Sequence, residues 1–142
     1  MKKVLVTGIS GYLGLHCATE LLKKGYAVRG SVRSLSKADQ ITSDIKKHIN
    51  PIGNLEFCEL NLLEDKGWSE AMEGCSYVLH VASPFVSSEP KDENELIKPA
   101  IEGTLRALKA AKEAGVKRVV LTSSMGSMMG DGNKSIDVDE NT

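Results

Sequence analysis

No apolar run in this sequence of 142 residues is long enough to span a bilayer, so a membrane-spanning helix is not expected. The opening Met1-Lys2-Lys3 followed by Val-Leu-Val has the order of a signal peptide, but Thr7, Gly8, Ser10, Gly11 and Gly14 interrupt the apolar run too early. An excess of either charge is also missing. With 18 basic and 19 acidic residues the formal charge is -1, so no long-range field favours nucleic acid or an anionic membrane. Any anionic ligand must be held by local geometry. Cysteine is sparse: Cys17, Cys58 and Cys75 are odd in number, widely spaced and set in apolar segments. That pattern suits reduced thiols in a cytoplasmic protein, and with no Cys-x-x-Cys pair a metal site is not expected. Internal repeats and low-complexity tracts are lacking too.

Hydrophobic residues make up 41% of the chain, enough for one folded α/β domain with a single core. Short β-branched or apolar runs at residues 3–7, 27–32, 77–81 and 118–122, with a weaker one at 55–60, read as strands. Helical patterns alternate with them. Such alternation predicts right-handed βα crossovers and a Rossmann-type, doubly wound parallel sheet of order 3-2-1-4-5. The first helix is expected over residues 11–24, with Gly14, Cys17, Ala18 and Leu21 on one face and Gly25 as its stop. The longest is expected from Asp92 to Ala114, with Asp92 and Glu95 as a capping box and Gly115 as its end. Its Ile97, Ala100, Ile101, Leu105 and Leu108 recur at core spacing, and Pro99 requires a kink or a restart. Residues 34–54 read as a short helix (Ile41, Ile45, Ile49) and a loop ended by Pro51 and Gly53. Residues 1–124 then form the nucleotide-binding domain, and 125–142 a loop leading onward.

Thr7-Gly8-Ile9-Ser10-Gly11-Tyr12-Leu13-Gly14 follows a strand and opens a helix, the context that turns a glycine pattern into a pyrophosphate site. Gly8 permits a sharp exit from the strand, Gly11 lets a diphosphate reach bare backbone, and Gly14 allows close packing of the helix. Free N–H groups of Gly11, Tyr12 and Leu13, at the positive end of the helix, would take the negative charge.

An NAD site places an acid at the end of the second strand to bind the ribose 2′-hydroxyl. No acidic residue stands between Glu20 and Asp39. The strand instead ends Val28-Arg29-Gly30-Ser31-Val32-Arg33, with Lys37 soon after. A guanidinium at Arg33 can bind a 2′-phosphate bidentately and stack on adenine, so the expected cofactor is NADP(H). Asn61, past the third strand, is the candidate for the adenine edge, since its amide both donates and accepts. Leu62 beside it, Val81, Ala82 and Ser83 after the fourth strand, and Thr122 and Ser123 after the fifth complete the expected contacts. All lie at carboxyl ends of strands, where such sheets bind ligands. His80 has no carboxylate nearby in sequence and reads as a packed strand histidine rather than an acid or base. Pro84 and residues 87–92 are expected to steer the loop bordering the cofactor.

The Gly-x-x-Gly-x-x-Gly spacing resembles the short-chain dehydrogenase superfamily. Together with His80-Val81-Ala82-Ser83-Pro84, Glu93-Asn94-Glu95-Leu96-Ile97-Lys98-Pro99 and Leu121-Thr122-Ser123-Ser124, the chain resembles the dihydroflavonol 4-reductase and cinnamoyl-CoA reductase branch of extended short-chain dehydrogenases. The resemblance covers nearly the whole chain, although that family usually has Asp where Asn61 stands. It implies an NADPH-dependent reductase of a small-molecule carbonyl, in which a serine matching Ser124 and a tyrosine hydrogen-bond the substrate. A lysine four residues past the tyrosine lowers its pKa. Four residues beyond Tyr12, Tyr26 and Tyr77 stand His16, Gly30 and Val81, so no Tyr-x-x-x-Lys pair occurs in these 142 residues.

The chain is therefore expected to hold the cofactor half of such an enzyme and to be inactive alone. A nucleotide-sugar epimerase or dehydratase shares the glycines and the serine, but commonly keeps the acid missing here. A non-catalytic NADP-binding module is the third possibility. Self-association through the edge of the fifth strand or through the helix from Asp92 to Ala114, or else marginal stability, is expected.

Overall fold

Successive side chains of a strand point to opposite faces of the sheet, and β1 (Lys3–Thr7) uses both. Val4 and Val6 enter one apolar cluster, while Leu5 enters the other. A central strand with a core on each side needs helices on both faces. The computed structural model, which describes residues 1–51, 53–84 and 92–124, has that arrangement. In chain order it runs β1, α1 (Tyr12–Lys23), β2 (Ala27–Val32), a 3-10 turn (Leu35–Lys37), α2 (Ala38–Lys46), β3 (Leu55–Glu59), α3 (Trp68–Met72), β4 (Tyr77–His80), α4 (Asn94–Glu113) and β5 (Arg118–Leu121).

The five strands pair in parallel in the order β3-β2-β1-β4-β5, as the alternating pattern predicts. Ends of the third to fifth strands fall one residue short of expectation. On one face α1 and α2 bring Ala18, Leu22, Ile41 and Ile45 against Val4, Val6 and Val28. On the other, α3 and α4 bring Trp68, Met72, Ala107, Ala110 and Ala111 against Leu5 and Val78. The order reverses between β2-β1 and β1-β4, and this opens a crevice at the carboxyl ends of the central strands.

Helix α4 departs from expectation in which face it buries. The large residues Ile97, Ile101, Leu105 and Leu108 are exposed, and Ala100 is half-buried. Small residues, Gly103, Ala107, Ala110 and Ala111, face the sheet instead. The reason is space: a Cβ on Gly103 would lie 3.1 Å from Leu62 Cβ, and Trp68 and Met72 already fill that side of the core. The start of α4 differs as well. Asp92 Oδ1 accepts from the backbone and side-chain nitrogens of Asn94, both at 2.9 Å, so the Asp92–Glu95 capping box does not form and Glu93 holds the N-cap position. Pro99 lies inside one uninterrupted helix.

Helix α3 carries no sequence expectation. It is five residues long, and Arg29 secures it by donating to the carbonyl oxygens of Glu70, Ala71 and Glu73 at 3.0, 2.8 and 2.9 Å. Arg29 also pairs with Glu56 at 2.7 Å. A guanidinium satisfies several orphan carbonyls of a helix end at once.

All three cysteines are free thiols. Burial pushes the Cys58 thiol up to about 11 and raises Cys75 as well, which keeps both protonated and unreactive. No described helix is long and apolar enough to cross a membrane. The described residues contain no cluster of potential metal ligands. Expectations for residues 87–91 and for 125–142 lie outside the described residues.

Candidate functional site

Gly8 leaves β1 with φ +68, and a Cβ there would sit 3.1 Å from Ala82 Cα. Only glycine makes this exit and this approach to the β4 terminus together. The turn closes with Gly11 N–H donating to Gly8 O at 3.0 Å, and α1 starts at Tyr12. That bond corrects one detail of the phosphate cradle: the Gly11 amide is already used. The helical ladder begins with Leu15 N–H to Gly11 O at 2.9 Å, so the first-turn amides of Tyr12 and Leu13 lie outside it. Among the described residues, only Gly8 O approaches the space of a Gly11 side chain, at 3.4 Å. Bare backbone and first-turn donors are thus presented where an anion is favoured.

The crevice above this turn is about 1000 Å³. It brings together Gly8, Ser10, Gly11, Tyr12, Leu13 and Gly14 with Arg33 and Lys37 from the β2 exit. Asn61 and Leu62 from the β3 exit join them, as do Val81, Ala82 and Ser83 from the β4 exit. Thr122, Ser123 and Ser124 follow β5 as exposed residues and are not part of this wall.

Three cations near the end of β2 have separate fates. Arg29 is committed to α3 and Glu56, whereas Arg33 and Lys37 are exposed on the crevice wall. Glu59 of β3, whose Oε1 accepts the Leu35 backbone N–H at 3.0 Å, is not part of the wall. Asn61 folds into its own turn: its Nδ2 donates to Glu64 Oε1 at 2.7 Å and its Oδ1 accepts Leu63 N–H at 3.1 Å. Among the described residues these bonds use one amide hydrogen and one lone pair of Asn61, and the other of each is left for the crevice.

Sequence reasoning missed several wall residues. Ser31 Oγ accepts the Gly8 N–H at 3.3 Å and so ties β2 to the glycine turn. Its place near the end of β2, in a segment that offers a hydroxyl beside its cations, was the available signal. Thr7, Trp68, Glu95, Leu96 and Pro99 also line the crevice. The α4 residues come from a distant segment; they lie within the Glu93 to Pro99 motif that is read for the family and not for the crevice. His80 is 3% exposed, and burial lowers its imidazole pKa, in agreement with a packed strand histidine.

The model of the NAD dependent epimerase/dehydratase family matches residues 4–142. The chain belongs to that family. It is 41% identical over 126 residues to a dihydroflavonol 4-reductase of Hordeum vulgare, covering 88% of this chain and 35% of that protein. Against cinnamoyl-CoA reductase 1 of Petunia hybrida the identity is 37% over 131 residues, covering 92% of this chain and 38% of the relative. The resemblance read from the motifs is thereby borne out. Among solved structures, Gre2 of Candida albicans in complex with NADPH superposes with a TM-score of 0.76 at 32% identity, over 90% of this chain and 38% of that one. Vestitone reductase from alfalfa gives 0.72 at 29% identity, over 92% and 39%. This chain therefore spans little more than a third of the length of these proteins.

Proposed function

We propose that this chain is the nucleotide-binding portion of an NADPH-dependent reductase acting on a small-molecule carbonyl. The observation that carries the reading is one crevice lined by the glycine turn, the start of α1 and two cations, Arg33 and Lys37, with no acid on its wall at the β2 exit. The donor set fits a phosphorylated dinucleotide. First-turn amides suit the diphosphate, the open side of Gly11 admits it, and a planar guanidinium suits a 2′-phosphate. Similarity to two plant reductases and to Gre2 of Candida albicans solved with NADPH supports the same chemistry.

In this reading Gly8, Gly11, Tyr12, Leu13 and Gly14 hold the diphosphate, with Ser10 at the turn. Arg33 and Lys37 neutralise the 2′-phosphate, and Asn61 and Leu62 flank the adenine. Val81, Ala82 and Ser83 border the cofactor toward the reaction centre, with Thr122 and Ser123 nearby. Ser124 orients the carbonyl of the substrate. When bound, the nicotinamide supplies the hydride. Ser124 is not assigned the proton transfer to the alkoxide that results, because a serine hydroxyl is a far weaker acid than that step needs near neutral pH. A tyrosine and lysine from outside these 142 residues complete the proton path. The free thiols suit a cytoplasmic location.

Titration of the protein with NADPH, followed by calorimetry, tests the reading. Saturable binding weakened by Arg33→Ala is the expected result. Absence of binding at millimolar NADPH in folded protein overturns it.

A further inference from the structure

Thr7 and His80 face each other in register across β1 and β4, and they are 1% and 3% exposed. Thr7 Oγ1 lies 3.0 Å from His80 Nδ1 and accepts the Ala82 backbone N–H at 3.0 Å. The direction of the second bond is fixed, because a backbone N–H only donates. The threonine hydroxyl then has one proton to place, and among the described residues the bond to His80 Nδ1 is the one that can take it. A lone pair on Nδ1 requires the ring proton on Nε2. Burial favours the neutral ring this demands. A protonated ring would carry hydrogen on Nδ1 and leave the threonine proton with no acceptor among the described residues.

Thr7 and Ala82 line the crevice, and His80, buried, bonds to Thr7 without lining it. Ala82 is the residue against which Gly8 packs, so the bond from Ala82 N–H to Thr7 sets how the β4 exit meets the phosphate turn. The His80 carbonyl accepts Thr122 N–H at 3.1 Å, two residues before Ser124. On its other side the imidazole meets the Trp68 ring edge-on at 6.2 Å, and Trp68 is itself fixed by its Nε1 donating to Glu64 O at 2.9 Å. His80 thus joins the carboxyl ends of β1, β4 and β5.

We propose that His80 is a positioning residue for the cofactor crevice. Its Nε2–H tautomer accepts the Thr7 hydroxyl hydrogen bond at Nδ1 and leaves the Thr7 oxygen to hold Ala82 against Gly8. The proposal rests on the dinucleotide reading of the crevice and adds a residue that touches no ligand.

The test uses the folded protein and three readouts. Nitrogen-15 NMR of the histidine rings should show His80 with a bare Nδ1 and a protonated Nε2 at neutral pH. His80→Leu should speed exchange of the Ala82 amide hydrogen and weaken NADPH binding by about tenfold, the scale of one lost buried hydrogen bond. His80→Asn, whose Oδ1 stands where Nδ1 does, should restore both to within about threefold of the parent protein. Thr7→Val should match His80→Leu, and the double variant should lose little more, since both remove the same link. A proton on Nδ1, or Ala82 exchange unchanged in folded His80→Leu protein, overturns the proposal. If the parent protein binds no NADPH, the dinucleotide reading and the positioning role both fall, whereas the tautomer and exchange results still report on the hydrogen bonds themselves.

Discussion

Gly14 stands so close to Gly8 that a Cβ on Gly14 would lie 2.2 Å from the Gly8 carbonyl oxygen and 2.9 Å from Ile9 Cα. The first turn of α1 therefore rests on the backbone of the phosphate turn itself. Neither backbone atom has a flexible side chain's freedom to move aside. Gly14→Ala is expected to destabilise the fold by about 1–3 kcal/mol through overpacking and to displace the first-turn amides from the crevice. Thermal unfolding checks this; an unchanged midpoint with unchanged NADPH affinity would show that the contact is not constraining.

Burial depresses the His80 imidazole, so the native state takes up its proton at lower pH than the unfolded chain, whose value is near the free one of about 6.5. Below that value the unfolded state binds more protons. Stability is accordingly full above it and declines as the pH falls toward the folded pKa. The unfolding midpoint should drop between about pH 7 and pH 5.5, and the drop should be shallower in His80→Leu protein. Equal slopes in the two proteins would place the proton uptake elsewhere.

Exposed apolar residues gather on α4 and β5. Ile101, Leu105, Val120 and Leu121 are 55%, 58%, 52% and 47% exposed, and the outer side of β5 pairs with no other described strand. An open strand edge beside apolar surface is a template for another chain. Self-association of this 142-residue chain is expected, with a scattering mass that rises with concentration and falls in Leu105→Lys protein. A monomer at every concentration, with a concentration-independent unfolding midpoint, is the contrary result.

The sequence contains no Tyr-x-x-x-Lys pair, so this chain by itself should reduce no aldehyde with NADPH. Turnover across an aldehyde panel that disappears in Ser124→Ala protein would contradict this and would show that the proton comes from within these residues.

Strand order and the glycine turn were legible because both have local signatures: β-branched runs alternating with helical patterns, and glycines placed between a strand and a helix. The face of α4 was not. Periodicity located an apolar stripe at Ile97, Ile101, Leu105 and Leu108, but it cannot tell the stripe that is buried from one that is presented outward. What decided was the bulk of Trp68 and Leu62 on the opposing surface, which admits Gly103 and Ala107 and excludes leucine. In the crevice, Arg33 could be read from the missing acid, whereas the divergence of Arg29 toward α3 depended on a helix too short to show a period. The Thr7–His80–Ala82 bonds join residues 73 and 75 positions apart, and such pairing follows from strand register alone.

The central claim is that the β2 exit selects a phosphorylated dinucleotide through Arg33. Calorimetric titration of the parent protein and of Arg33→Ala with NADPH and with NADH tests it most directly. Tighter binding of NADPH than of NADH by the parent, with most of that difference gone in Arg33→Ala, is the predicted result. Equal affinity for the two cofactors, or tighter binding of NADH, would contradict it.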